Sequence, residues 1–138
     1  MQITHQADYA IRTVFYLARL NPDQKVSTRQ IAKDYQIPPS FLTKIVSQLS
    51  IAGLIHTTRG ASGGVSLAHP PEKITMLEVL EAVDGPIALN DCVNDPESCP
   101  FSKNCVLHHF WSDATDELVA RLKSTTFDQL VANGSLIL

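Results

Sequence analysis

Apolar residues recur at three-to-four spacing over residues 4–20, where Ile11, Val14, Phe15, Leu17 and Ala18 form one broad face. That period predicts an amphipathic helix. Asn21-Pro22-Asp23 has turn chemistry and ends it. Asp8 sits near its start, where a carboxylate suits the helix dipole. Ser27-Thr28-Arg29-Gln30 opens a second helix as a capping-box pattern, and the apolar positions continue through Ile31, Ala32 and Tyr35. Gln36-Ile37-Pro38 turns the chain. Pro39-Ser40 then starts a third helix through Phe41, Leu42, Ile45, Val46 and Leu49, and Gly53 closes it.

Two short helices about a tight turn are a helix-turn-helix pattern. Its second helix carries Ser40, Thr43, Lys44 and Ser47 between the core positions, so these face outward, toward a major groove. Thr28 opens the helix before it. Leu54–Thr58 and Val65–Ala68 read as two strands around Arg59-Gly-Ala-Ser-Gly-Gly64, a turn rich in glycine. A hairpin placed there is the wing of a winged helix, with Arg59 and Gly60 at its tip to meet phosphate or a minor groove. An ordinary surface hairpin with a solvated arginine is the plainer alternative.

His69-Pro70-Pro71 interrupts the chain, and Thr75-Met-Leu-Glu78 caps a helix through Leu77, Leu80, Ala82 and Val83. Asp84-Gly85-Pro86 stops it. Residues 85–101 read as a loop, long enough to suggest function or disorder. From about Ser102 the helical period returns. Leu107, Phe110, Trp111, Ala114, Leu118 and Leu122 form a long apolar stripe. Part of it is expected to pack on the first helix, and the same helix of a second subunit would cover the rest. Thr126-Phe-Asp-Gln129 caps a last helix ending at Asn133-Gly134. The expected fold is mainly α with a small β-hairpin: a winged helix-turn-helix over 1–84, a cysteine loop over 85–105, and a dimerisation helix with a short terminal helix over 102–138.

Charge sharpens this picture. Residues 1–73 hold eight Lys or Arg against four Asp or Glu, whereas residues 74–138 hold three against ten. A basic first half suits a polyanion such as double-stranded DNA, although solvated surface charge alone also accounts for it. The N-terminus lacks a basic start and apolar core, and no apolar run is long enough to span a membrane. The expectation is a cytoplasmic protein without a membrane partner. No nucleophile–base arrangement is assignable, so an enzyme is not expected.

All three cysteines lie within Cys92–Cys105, separated by six and then five residues. Such thiols can converge if the loop curls, and soft thiolates select zinc, copper(I) or iron–sulfur clusters. Pro96 and Pro100 stiffen the curl. Cys105 is expected in the first turn of the long helix, with His108 at i+3 on its face. Four readings stand open: spare thiols, a Cys₃His zinc site, a thiol switch, and an iron–sulfur cluster. The spacings are longer than the short pairs that zinc favours, which puts the cluster first. His5, His56, His69 and His109 read as surface or packing residues.

The chain also resembles cluster-binding regulators of the IscR/NsrR type. The resemblance runs from Met1-Gln-Ile-Thr and Asp8-Tyr-Ala-Ile-Arg12, through Ile37-Pro-Pro-Ser-Phe-Leu-Thr-Lys44, Ala52-Gly-Leu-Ile55 and the wing. It continues through Ile74-Thr-Met-Leu-Glu-Val79 and the three-cysteine loop to Trp111 and Thr126-Phe-Asp-Gln-Leu-Val131. It implies a homodimer on palindromic promoter DNA, a repressor-type role, and Cys92, Cys99 and Cys105 as cluster ligands. IscR-like proteins add a histidine and carry a 2Fe–2S cluster, and His108 occupies that place. NsrR-like proteins can carry a 4Fe–4S cluster with an aspartate from the other subunit, and Asp8 occupies that place. The gap between Cys92 and Cys99 is one residue longer than in many IscR proteins. Thr43-Lys44 stands where they commonly have Glu-Gln, and Lys44 would favour phosphate or guanine. The functional expectation is a DNA-binding regulator sensing iron–sulfur status, redox or nitric oxide. A metal-free or zinc-containing thiol regulator is the alternative, and a small electron carrier or thiol oxidoreductase the more distant one.

Overall fold

The computed structural model describes residues 2–134. Helix α1 (His5–Ala18) starts on Thr4, whose hydroxyl accepts from the Ala7 amide. Helix α2 (Thr28–Asp34) starts on Ser27 in the same way, through Gln30 N. The expected reciprocal capping box is only half made. The Gln30 side chain donates to Asp34 at 2.7 Å instead, because that carboxylate lies one turn ahead on the same face. A left-handed residue, Gln36, turns the chain into helix α3 (Pro39–Ile51).

The wing follows as β1 (Ile55–Thr58) and β2 (Gly64–Leu67), antiparallel with Ile55 opposite Leu67 and Thr58 opposite Gly64. Val26, just before α2, exchanges two backbone hydrogen bonds with Val65 and ties the wing to the helix-turn-helix. This close approach needs glycine next door: a Cβ on Gly64 would lie 2.7 Å from the Val26 carbonyl oxygen. Helix α4 (Met76–Asp84) carries a complete capping box between Thr75 and Glu78.

The core fills from both ends of the chain. Val14 of α1, Ile31 of α2, Leu42, Ile45 and Leu49 of α3 and Val79 of α4 are buried together. Helix α7 (Phe127–Ala132) returns to this core rather than staying with the long helix it was grouped with. Phe127 is fully buried, and Met76 N and Phe127 N donate to Thr125 and Ile74 carbonyls across a β-bridge.

The stretch expected to be loop contains a short helix, α5 (Asp91–Asn94), and 3₁₀ turns at Pro96–Ser98 and Ser102–Asn104. Asn90 caps α5 through its side-chain oxygen. Such single turns are too short to leave a period in the sequence. Helix α6 (Val106–Ser124) packs chiefly against α4 and α5, not on α1 as expected, because α3, α4 and α7 already cover α1. Its apolar stripe is only partly covered: Trp111, Ala114 and Leu122 are half-buried, whereas Leu107 and Phe110 are 66% and 61% exposed, with Val106 beside them 76% exposed. Phe41 is also exposed rather than in the core, and its ring meets the edge of Tyr9.

A polar link fixes α1 to α2. The Tyr16 hydroxyl donates to Asp34 at 2.6 Å, and Arg19 donates to the Tyr35 hydroxyl at 2.7 Å. Burial first, then the Asp34 carboxylate, push the Tyr16 phenol up to about 12. The folded state therefore favours the protonated phenol. This contribution is complete below the ordinary tyrosine value and is lost as pH rises from about 10 through about 12. Tyr16→Phe is expected to lower stability by about 1 kcal/mol at neutral pH. It should also flatten the fall in stability over that alkaline range. Chemical denaturation at several pH values checks both, and a variant with the wild-type pH profile would remove the Tyr16–Asp34 bond from the account.

Candidate functional site

Ser40, Thr43, Lys44 and Ser47 all lie on the exposed face of α3, opposite the buried Leu42, Ile45, Val46 and Leu49. Alternation of small polar and apolar residues at helical spacing produces this face. The Thr43 hydroxyl already donates to Pro39 O at 3.0 Å, so only its lone pairs are free. Thr28 is exposed at the start of α2. Arg59 and Gly60 are exposed at the wing tip, where the Gly63 amide donates to the Gly60 carbonyl and closes the turn. Gly60 has φ 101°, a conformation that disfavours side chains.

Sequence reading passed over Arg29 and Lys33. They share a face of α2 at i,i+4 spacing and rim a cavity of about 570 Å³ with Thr28, Pro39 and Thr43. Among the described residues the one ion pair is Asp8 with Arg12, at 2.6 Å. Arg29, Lys33, Lys44 and Arg59 therefore present uncompensated charge.

The second site is the cysteine segment. Cys92 rides on α5, Cys99 follows the 3₁₀ turn at Pro96–Ser98, and Cys105 is the N-cap of α6. Cys105 is therefore not inside the helix, as expected. Its backbone is extended, with φ −98° and ψ 119°, because the preceding 3₁₀ turn ends there. All three thiols are free and half-buried. They line one open cavity of about 950 Å³ together with Asp91, Ser102, Lys103, His108 and Trp111. Among the described residues, no three His, Cys, Asp or Glu side chains are drawn close enough to hold a metal ion. The thiols share a wall without forming a coordination sphere.

Two buried side-chain polar atoms among the described residues lack a hydrogen-bond partner, Ser102 Oγ and His108 Nδ1. Both residues line this same cavity. A buried polar atom without a partner is costly, so it points to something that completes it. Three thiols and an imidazole form a donor set that suits an iron–sulfur cluster or zinc. Asp8, the other candidate ligand, does not line this cavity in its own protomer and is held by Arg12.

One residue without a sequence signal positions the segment. Thr115 is 3% exposed, and its hydroxyl accepts from the Leu89 amide at 3.1 Å. Leu89 precedes Asn90, the cap of α5, so this bond sets where Cys92 begins. A threonine among helical polar residues reads as surface, and only the contact reveals its role.

Residues 3–133 match the Rrf2 family, described as iron-dependent transcriptional regulators. The chain belongs to the Rrf2 family. Among its Rrf2 relatives, the HTH-type transcriptional regulator NsrR of Shouchella clausii is 35% identical over 135 residues, spanning 96% of this chain and 90% of the relative. NsrR of Bacillus licheniformis is 30% identical over 134 residues, spanning 96% and 94%. CymR, the global cysteine regulator of B. subtilis, superimposes with a TM-score of 0.80 at 26% identity, covering 98% of this chain and 99% of that one. T. potens IscR shares the fold, with a TM-score of 0.80 at 21% identity over 98% of this chain and 89% of that one. The Rrf2 assignment makes the protein a DNA-binding transcriptional regulator with a winged helix, as the helix pattern and the wing predict. No described helix is long and apolar enough to cross a membrane.

Thr115→Val keeps the side-chain shape but removes the acceptor from the Leu89 amide. It is expected to cost about 1–3 kcal/mol, with Thr115→Ser recovering most of it. Exchange of the Leu89 amide should quicken while that of Leu49 stays slow. Unchanged exchange at Leu89 would mean that the loop is held by other contacts.

Proposed function

We propose that this Rrf2 protein is a homodimeric repressor-type regulator of palindromic promoter DNA whose grip depends on an iron–sulfur cluster held by Cys92, Cys99, Cys105 and His108. The supporting observation is the shared cavity: three cysteines with free thiols and His108, whose Nδ1 is buried without a partner, line it together. A 2Fe–2S cluster is preferred, with a 4Fe–4S cluster and Asp8 of the partner subunit as the alternative. When bound, the group supplies a centre sensitive to oxidation, nitric oxide and iron supply.

The chain's own residues supply the rest of the mechanism. Loop segments carrying Cys92 and Cys99 close toward the start of α6, where Cys105 and His108 wait. Thr115 holds the entrance of the loop on the same helix. The exposed stripe of Val106, Leu107 and Phe110 meets its copy in a second subunit and sets the spacing of two α3 helices. Closing or opening the loop shifts the pose of that stripe, and a coupling of ~1–3 kcal/mol changes DNA affinity roughly 5–150-fold. Ser40, Thr43, Lys44 and Ser47 read bases or phosphates, with Thr28, Arg59 and Gly60 on the flanking backbone. Arg29 and Lys33 add phosphate contacts.

Anaerobic purification is expected to yield coloured protein with iron and sulfide, and Cys105→Ala should abolish the colour. Colourless protein carrying stoichiometric zinc would rule the cluster out and favour the zinc reading. His108→Ala should shorten cluster lifetime, and an unchanged spectrum and lifetime would pass the fourth position to Asp8.

For DNA, Arg59→Ala is expected to weaken promoter binding and reduce the salt slope by about 1. Binding titrations across salt concentration measure this. An unaltered slope would remove the wing arginine from the interface.

A further inference from the structure

Phe101 and Ser102 are turned the wrong way for simple burial. The aromatic ring is 73% exposed, whereas the serine is 5% exposed. Ordinary folding preference runs the other way. The inversion sits at the centre of the ligand curl, because Ser102 is three residues after Cys99 and three before Cys105. Its amide donates to the Cys99 carbonyl at 3.3 Å, which closes the turn leading into the 3₁₀ turn at Ser102–Asn104, and its short side chain is buried. Ser102 is among the residues lining the cavity of the three thiols, and its hydroxyl is buried without a partner. Of the side chains sharing that cavity, Lys103 is a donor, and Asn90, Asp91, Ser98 and Asn104 carry oxygen acceptors. Cys99 and Cys105 are the sulfurs that flank Ser102 at equal spacing along the curl.

We infer that Ser102 is a positioning and tuning residue for the metal centre, its hydroxyl donating a hydrogen bond to a sulfur once the loop has closed. The inference rests on the metal reading proposed above and adds to it a residue outside the ligand set. A hydroxyl donor stabilises negative charge on sulfur. That favours the more anionic reduced state and raises the reduction potential. It also offsets the negative charge gathered on the ligand sulfurs, so a thiolate-bound metal is held more tightly. An alanine at 102 fills nearly the same space and supplies no donor. A threonine keeps the hydroxyl.

The test uses the full chain under anaerobic conditions, as wild type, Ser102→Ala and Ser102→Thr, with folding checked by circular dichroism. Potentials of the cluster-loaded proteins are measured by redox titration of the visible spectrum. Ser102→Ala is expected to shift the reduction equilibrium about tenfold toward the oxidised form, which is about 59 mV lower for a one-electron couple. Ser102→Thr should stay close to wild type. In a second arm, apo protein is titrated with cobalt(II) alone and followed by its thiolate charge-transfer band. Ser102→Ala should bind about tenfold more weakly.

Wild-type protein that shows cobalt–thiolate bands but takes up no iron and sulfide would sink the cluster while leaving the cobalt arm to decide Ser102. Equal potentials and equal cobalt affinities for Ser102→Ala and wild type would overturn the proposal, and would mean that the hydroxyl serves only the turn. A loss in Ser102→Thr as large as in Ser102→Ala would overturn it too, because packing rather than the donor would then be responsible.

Discussion

The hydrogen bond from the Leu89 amide to the Thr115 hydroxyl carries more of this molecule than its length suggests. Helix α6 buries one of its side chains completely, and it is this threonine. The segment from Gly85 to Cys105 has little core of its own: α5 and the turn at Pro96–Ser98 bury nothing fully. Its place is set by the Thr115 bond and by packing of α5 on α6. An apolar residue at 115 would fill the same space but leave a polar amide unmet, which usually costs more than a neutral hydrogen bond returns. The thiols are thus presented from a lightly held segment on a helix whose outer face is open.

Helix α4, which leads into that segment, is held to the rest of the fold by few but definite links. Asp84, at the end of α4, accepts from Thr4, the cap of α1, at 3.0 Å through both carboxylate oxygens. Helix α7 closes the other side, where Phe127 enters the core and Thr126 pairs with Thr75 at the start of α4. Helix α4 therefore meets α1, α3 and α6 at once. In the proposed mechanism a displacement of α6 would reach α3, the helix that carries the exposed polar face, through α4. Packed elements pass on such shifts as steps between discrete arrangements.

Much of this is legible in the sequence, and the reason is periodicity. Helices α1, α3 and α4 each have one apolar face against a core, so their spacing announces them. The wing announces itself through glycines that no other residue replaces easily. What stayed hidden was set by contacts rather than by period. Gln30 abandons its capping box because Asp34, held by Tyr16, offers a better partner. Phe41 has a core residue's identity but rests on Tyr9 at the surface. Helix α5 has too few residues to show a pattern. Thr115 and Ser102 are small and polar, and nothing in their neighbours marks them as buried. The three thiols were visible as a cluster because their type is rare, whereas their shared cavity depends on a fold the spacing alone does not specify.

For the proposed cluster, the choice between His108 and Asp8 as fourth ligand comes down to what each would give up. Asp8 is paired with Arg12, and both side chains are 38% exposed. Exposed pairs of this kind are worth roughly 0–1 kcal/mol, so breaking this one is a small cost. Reaching the cavity, however, requires a second subunit to deliver Asp8, and the site then exists only in the dimer. His108 would give up no hydrogen bond at Nδ1, which is buried and unpaired in a residue that lines the cavity of the thiols. It also lies on α6 one turn beyond Cys105, so ligation through it binds the loop to a single helix. In the proposed cluster site the histidine would thus be the ligand available to each protomer, and the aspartate one that assembly would add. A regulator using the first senses within the subunit, and one using the second makes sensing conditional on the dimer that reads DNA.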